Sequence, residues 1–163
     1  MPQTDSLAWV HGTPSTPSNI FSSTTQESDN ELDFGAPATG GSYPYLPEFP
    51  SLTEKGQTSP PEVVGNGGIE YGLHLIVSTA VVPGSMTAGT VNIQSAATTN
   101  ATTVIASRPF TLAQLAVAGA HYFIPVQGVA ILEFLRAQFS ATTAGATSGT
   151  GVAWFGPKVG GEQ

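Results

Sequence analysis

The sequence predicts an all-β fold, a sandwich or a barrel, and three observations support this prediction. Short segments rich in β-branched and aromatic residues recur at intervals of about ten residues. Turn-forming residues, mainly Gly, Pro and Asn, separate them. One segment, TVNIQSAA, alternates apolar and polar residues as a half-buried strand does. The predicted strands are GLHLIVSTAVV (72–82), TVNIQSAA (90–97), TTVIAS (102–107), AHYFIPV (120–126), ILEFLRAQFSAT (131–142) and GVAWFG (151–156).

Residues 1–70 contain nine of the thirteen prolines and have no long apolar run. Such a composition buries too little surface to offset the entropy lost on ordering. We therefore expect an extended N-terminal arm at 1–17 and a sandwich domain at 18–163. Within that domain, 38–68 is expected to be a long Pro/Gly-rich insertion. This insertion either packs as a loop on its own domain or docks on another chain, and the sequence leaves both readings open.

Large side chains in these polar stretches and on the strands are candidate partner contacts. Trp9 and Phe21 fit a packing role in their own domain equally well. In a strand, Trp154 and Phe155 point to opposite faces, so one of them faces outward and could anchor an interface. The candidate contacts are Trp9, Phe21, Tyr43, Tyr45, Phe49, Arg136 and Trp154.

The segment FTLAQLAVAG (110–119) departs from the β pattern. Leu112 and Leu115 have helical spacing, and Gly119 follows as a stop signal. We predict one short turn of helix there.

The stretch at 131–142 combines two spacings. Apolar residues three and four positions apart fit a helix, whereas Leu135, Ala137 and Phe139 alternate as in a strand. Because the neighbouring segments are short and β-like, we favour a strand with these three residues on its core face. Arg136 then lies on the opposite face, where we expect it to pair with an acid of the N-terminal segment or of a neighbouring chain.

Charge is scarce and unevenly distributed along the 163 residues. Charged residues make up 9% of the chain, against about 25% in a typical domain, which suits a chain covered by other protein. Residues 1–71 hold nine acids and one lysine, a net charge of −8, and residues 72–163 hold two acids and three bases, +1; these sum to −7. An acidic segment favours contact with a basic protein surface. The lack of a basic patch argues against nucleic-acid binding.

The chain contains no cysteine, which excludes disulfides, thiolate metal sites and a cysteine nucleophile. It also lacks a run of about 18 apolar residues, so we expect no membrane partner. Its first residues have no basic region followed by an apolar run, so no secretion signal is expected.

No catalytic or metal-binding site is predicted. His74 and His121 lie in apolar strands and could face each other across a sheet, but a metal would also need a carboxylate. Glu70 and Glu133 are the nearest carboxylates in sequence, and a structural role for both histidines is favoured. Glu133 and Arg136 would point to opposite faces of their strand, and there is no G-x-S-x-G motif. We therefore expect no cofactor, no metal and no enzymatic activity.

Several of these segments together resemble a known family. They are GLHLIV, TVNIQSAATTNATTVIAS, LAQLAVAGAHYFIPV and LEFLRAQFSATTAGATSGTGVAWF, with SSTTQESDNELDFGAP upstream. The set is similar to the capsid cement, or decoration, proteins of tailed bacteriophages. The resemblance spans 18–37 and 69–156 and leaves 1–17 and 38–68 as additions.

This resemblance implies a jelly-roll-like antiparallel β-sandwich without catalytic residues. It also implies a virion structural protein that is made in the host cytoplasm and binds the outer capsid surface. Its partners would be the major capsid protein and further copies of itself, as a dimer or a trimer. An alternative is a phage tail or spike module that binds carbohydrate, with Tyr43, Tyr45 and Trp154 stacking on sugars.

Overall fold

The structure is a computed structural model that describes residues 9–33, 71–96, 98–126, 134–158 and 162–163. In these residues, ten strands and one short helix form two antiparallel sheets packed face to face. The elements are β1 (Trp9–His11), β2 (Ser18–Asn19), β3 (Thr25–Glu27), β4 (Leu32–Asp33), β5 (Tyr71–Val82), β6 (Ala88–Ala96), β7 (Thr103–Phe110), α1 (Leu112–Leu115), β8 (His121–Pro125), β9 (Phe134–Thr142) and β10 (Ser148–Pro157). The predicted all-β sandwich is confirmed.

The strand order is that of a jelly roll. Sheet 1 has the order β1-β10-β5-β8, with β2 also on β10, and sheet 2 has the order β3-β9-β6-β7, with β4 also on β9. If β1 and β2 count as one interrupted strand, and β3 and β4 as another, eight strands remain. The first then pairs with the eighth, the second with the seventh, the third with the sixth and the fourth with the fifth. This nested pairing wraps the chain into the two Greek keys of the jelly-roll sandwich.

The core lies between the two sheets and follows from strand alternation. Leu73, Leu75 and Val77 of β5 are wholly buried and, because side chains two apart share a face, point together into the sandwich. Leu135, Ala137 and Phe139 of β9 do the same from sheet 2, which confirms the core face predicted for that strand. Each fully buried large apolar side chain stabilises the fold by about 1.5–3 kcal/mol.

The short helix α1 forms where the sequence predicts it. Thr111 caps it, because its hydroxyl accepts the Gln114 backbone N–H while the Gln114 side chain accepts the Thr111 N–H. This reciprocal capping box satisfies two backbone donors of the first turn. Leu115 then points into the core. No helix in the described part of the chain is long or apolar enough to cross a membrane.

Residues 9–17 belong to the sandwich and not to an arm, which corrects the expected boundary at residue 17. Trp9–His11 forms β1 and pairs with β10, and both Val10 and His11 are wholly buried. Gly12 turns the chain back with a φ of +58°, where an added Cβ would lie 2.6 Å from the Ser18 nitrogen. The rest of the expected arm, residues 1–8, lies outside the described residues.

Phe21 is also part of the core, so it is not a surface contact for a partner as the sequence suggested. It is wholly buried and packs edge-on against Phe139 with ring centroids 5.6 Å apart. Its φ of +57° is unusual for a residue with a Cβ. This conformation occurs two residues after the end of β2, where the ring points into the core.

The strand registers place several chain segments at one end of the sandwich, which we call the insertion end. Asp33 pairs with Phe134 in sheet 2, and Tyr71 pairs with Pro157 in sheet 1. The short turns that join β5 to β6 and β9 to β10 lie at the opposite end. Consequently, the two residues that flank 34–70 sit at the same end of the molecule. Trp9, where the described chain begins, pairs with Trp154 near this end.

Candidate functional site

The outer face of sheet 1 carries a row of aromatic side chains that crosses four strands. Trp9 pairs with Trp154, Trp154 with His74, and His74 with Phe123. The row forms because each residue alternates with core residues, as His74 does between Leu73 and Leu75. We call this row, together with His121 and Glu162, the outer cluster.

Ring contacts connect the outer cluster along its whole length. Trp9 and Trp154 lie with centroids 4.8 Å apart and planes tilted by 55°. The Trp154 indole stacks on the His74 imidazole at 4.8 Å with planes only 5° apart, and Phe123 contacts the same imidazole at 4.9 Å. Such pairs contribute about 0.5–1.5 kcal/mol each beyond their buried area. The cluster is therefore a packed layer on the outside of the sheet.

Two histidines and one carboxylate converge within this layer. His74 Nδ1 lies 2.9 Å from His121 Nε2 and 3.5 Å from Glu162 Oε1. The ligating atoms of the three side chains all lie within 4.8 Å of one another. His74 is 1% exposed, and the Glu162 side chain is wholly buried, whereas His121 is half-buried.

The hydrogen bonds indicate one tautomer for His74. Its Nε2 lies 2.9 Å from the carbonyl oxygen of Pro157, which can only accept, so this nitrogen carries the proton and donates. In the neutral ring, Nδ1 is then left with its lone pair facing His121 and Glu162. His121 Nε2–H donates to that lone pair when both rings are neutral.

Burial decides the charge state of both rings. It lowers the pKa of His74 below its ordinary value of 6.5, because the carbonyl of Pro157 and the carboxylate of Glu162 do not outweigh the loss of hydration. Burial also lowers the pKa of His121, against the opposing effect of Glu162. Both imidazoles are consequently neutral at pH 7, the form in which histidine donates its lone pair.

Residues 162–163 reach this position by lying alongside β8. The Gln163 N–H donates to the His121 carbonyl over 2.9 Å, and the Phe123 N–H donates to the Gln163 carbonyl over 3.3 Å. Arg108 strengthens the attachment, because its Nη1 donates to the Gln163 carbonyl at 2.6 Å and to the Phe123 carbonyl at 2.9 Å. These bonds hold the Glu162 side chain against the outer face of sheet 1.

Glu162 is the part of the outer cluster that sequence reasoning missed. His74 and His121 do meet across the sheet, and among the described residues the carboxylate beside them is Glu162, whereas the sequence singled out Glu70 and Glu133. Both of those residues lie outside the described ranges. Glu162 follows the last strand, and only the return of the chain beside β8 brings it to the histidines, so no sequence spacing indicates the contact.

The remaining predicted contact residues have different positions. Trp154 is half-buried on the outer face while Phe155 is buried in the core, as alternation predicts, and Trp9 is half-buried beside it. Arg136 lies on the outer face of sheet 2, where its Nε is 3.2 Å from Glu27 Oε2. Three predicted contacts lie outside the described residues: Tyr43, Tyr45 and Phe49.

Three acids of the N-terminal segment stabilise the sandwich itself. Glu27 pairs with Arg136. Asp29 accepts bonds from the Gly12 N–H at 2.9 Å and from the Ser18 hydroxyl at 2.5 Å. Glu31 uses both carboxylate oxygens to accept the backbone N–H groups of the turn at 100–101. Because these three charges have partners within the domain, fewer charges of the N-terminal segment are available to bind another chain.

No protein-family model matches this chain, and no curated protein matches it either.

Proposed function

We propose that this protein is a capsid decoration protein that binds the outside of an assembled phage shell and clamps neighbouring major capsid subunits. The proposed role is structural and non-enzymatic, and the proposed partner is the major capsid protein. The jelly-roll sandwich serves as a rigid body, and the stretches at its insertion end make the attachment.

The two candidate attachment stretches are residues 1–8 and 34–70. The observation that supports this proposal best is that the residues flanking both stretches lie at or near the same end of the sandwich. Asp33 and Tyr71 flank residues 34–70 and lie at the insertion end, and Trp9, which follows residues 1–8, lies near it. Two stretches leaving one end of a rigid domain can engage neighbouring subunits together. Binding at two linked points raises overall avidity far above that of either point.

Charge complementarity favours the longer stretch as the main contact. Residues 34–70 contain four acids and one lysine, a net charge of −3, whereas three acids of 27–31 already have partners in the sandwich. A basic patch on the shell would attract 34–70 and speed association, and salt would weaken this attraction. The aromatic residues of the same stretch, Tyr43, Tyr45 and Phe49, are suited to anchor it once bound.

The clamping mechanism is thermodynamic. A protein that binds the assembled shell, and not its separate subunits, stabilises the shell by mass action. Each copy adds little to the stability of the shell, but many copies around the shell together stabilise every subunit contact that they span. The proposal therefore predicts a protein present in hundreds of copies on each particle.

The test is to quantify this chain by mass spectrometry in purified particles of the virus that encodes it. A copy number in the hundreds, together with rebinding of purified protein to particles stripped of it, supports the proposal. Absence from particles, or a copy number near that of tail components, contradicts it. Particles that have regained the protein should also disassemble at higher temperature than stripped ones.

The alternative of a carbohydrate-binding module receives less support from the geometry. A sugar-stacking tryptophan needs a free ring face, yet the Trp154 indole stacks on His74 and contacts both Trp9 and His121. Binding of the isolated protein to a glycan array, lost in Tyr43→Ala or Tyr45→Ala, would favour this alternative over the capsid role.

A further inference from the structure

We propose that His74, His121 and Glu162 bind one zinc ion on the outer face of sheet 1. The ligand atoms would be His74 Nδ1, His121 Nε2 and a carboxylate oxygen of Glu162. The inference does not depend on the proposed capsid role. It rests on the convergence of three ligating side chains from three separate segments of the chain.

Two of the three ligand-atom separations are close to what zinc requires, and all three lie within 4.8 Å. Zinc binds imidazole nitrogen at about 2.0–2.1 Å and carboxylate oxygen at about 2.0–2.2 Å, so tetrahedral ligand atoms lie about 3.3 Å apart. The two nitrogens are 2.9 Å apart, and His74 Nδ1 is 3.5 Å from Glu162 Oε1. Moving the nitrogens apart by about 0.4 Å makes room for the ion, and a rotation of the half-buried His121 ring accomplishes this.

The orientation of His74 is the second argument. Metal-binding histidines generally donate their other ring N–H to a carboxylate or backbone carbonyl, which fixes the tautomer and the direction of the lone pair. His74 has this arrangement, because its Nε2 donates to the Pro157 carbonyl over 2.9 Å. The stacked Trp154 and the adjacent Phe123 further hold the ring in place. The Nδ1 lone pair therefore points into the cluster without rearrangement.

The donor set selects the class of metal. Two imidazoles and one carboxylate suit zinc and its first-row neighbours, whereas magnesium and calcium prefer oxygen ligands alone. With three protein ligands, the fourth position on zinc is open to a water molecule. His121 is half-exposed, so its side of the cluster provides the path by which an ion enters.

Zinc at this position would fasten residues 162–163 to two strands at once. His74 belongs to β5 and His121 to β8, while Glu162 follows β10. Because an ion that binds only the folded arrangement stabilises it by mass action, zinc should raise the melting temperature. Without zinc, a direct hydrogen bond joins the two imidazoles instead.

The primary experiment is calorimetric titration of the full chain, without a histidine tag and treated with chelator, with Zn²⁺ at pH 7.5. We expect one saturable site per chain and a higher melting temperature in excess zinc. The two tryptophans of the protein give an independent readout, since both belong to the outer cluster. The open-shell ion Co²⁺, when it binds beside His74, should quench the fluorescence of both tryptophans and saturate at one ion per chain.

His121→Gln and Glu162→Gln each remove one ligand. Loss of a residue that only hydrogen-bonds a metal ligand already lowers metal affinity about 10–100-fold, so each variant should weaken zinc affinity at least about tenfold. The matched control is His11→Gln, since His11 is a buried histidine bonded to a backbone carbonyl, and its ring packs against Phe139 of sheet 2 and not on the proposed ligands. It should leave zinc affinity unchanged. Circular dichroism confirms that each variant is folded.

Two results would overturn the proposal. One is the absence of saturable one-to-one binding by the folded wild-type protein. The other is wild-type affinity retained in either His121→Gln or Glu162→Gln, which would show that zinc binds elsewhere.

Discussion

Arg136 and Glu27 form an ion pair across the outer face of sheet 2, with Nε 3.2 Å from Oε2. The Arg136 side chain is 12% exposed and that of Glu27 is 36% exposed, so water screens the pair only partly. Arg136 Nε also donates to Gln94 Oε1 at 3.0 Å, and Gln138 donates to the other oxygen of Glu27 at 2.8 Å. The pair thus joins β3, β9 and β6 into one polar network.

Arg136→Ala should lower the free energy of unfolding by about 2 kcal/mol. The change leaves the buried Gln94 acceptor without its donor, and an unsatisfied buried acceptor costs about 1–3 kcal/mol. Urea denaturation measures the effect, and a double-mutant cycle with Glu27→Gln isolates the ion pair, for which we expect about 0.5–1 kcal/mol of coupling. A loss below about 0.5 kcal/mol, the range of ordinary surface changes, would contradict the structural role.

Phe21→Ala should be among the most destabilising single changes in the protein. Truncating a fully buried phenylalanine costs about 3–5 kcal/mol through lost burial and the remaining cavity. The matched control is Val104→Ala, because Val104 is 47% exposed on β7 and should change stability by no more than about 0.5 kcal/mol. Similar denaturation midpoints for the two variants would show that Phe21 does not belong to the core.

Stability should fall as the pH drops below 6.5, in part because of His11. Burial lowers the pKa of this ring, despite the opposing effects of the Asn19 carbonyl and Asp29. The unfolded chain therefore binds a proton at a pH where folded His11 is still neutral. The stability that neutral His11 contributes is complete above pH 6.5 and declines between 6.5 and the lower folded-state pKa.

Melting temperatures from pH 8 to pH 5 test this prediction, with His11→Gln as the comparison. The pKa values of His74 and His121 are lowered too, so the wild type should lose stability through all three rings. The variant should lose less over the same interval. Parallel curves for the two proteins would assign the pH dependence to the other histidines.

Two N-terminal truncations should separate attachment from folding. Removing residues 1–8 should leave the melting temperature unchanged and weaken binding to stripped particles. Removing 1–17 also deletes β1 with its buried Val10 and His11, so the domain itself should be destabilised. Unchanged particle binding after loss of 1–8 would exclude these residues from attachment.

Local patterns predicted much of the sandwich from the sequence. Alternation in β9 identified its core face, and the partner expected for Arg136 among the N-terminal acids is Glu27. Helical spacing with a following glycine located α1 correctly. The helix and the core face of β9 follow from near neighbours in sequence or from the period of a strand, whereas the choice of Glu27 among the N-terminal acids is set by the pairing of β3 with β9.

The features that escaped prediction depend on contacts between distant parts of the chain. Strand β1 has three residues, too few to show alternation, and only its pairing with β10 defines it. Phe21 turns into the core through a left-handed backbone conformation that its residue type does not signal. Glu162 meets His74 only because the chain returns beside β8 after the last strand.

The nested strand pairing has a consequence for how the protein is made on the ribosome. The innermost pair, β6 with β7, is available once residue 110 has emerged, but β1 and β2 must wait for β10, which begins at Ser148. Pairings between such distant segments form slowly because a long loop must close first. The sandwich can therefore close only after β10 has emerged, and until then the edge of sheet 1 that β10 will cover remains open to other nascent chains.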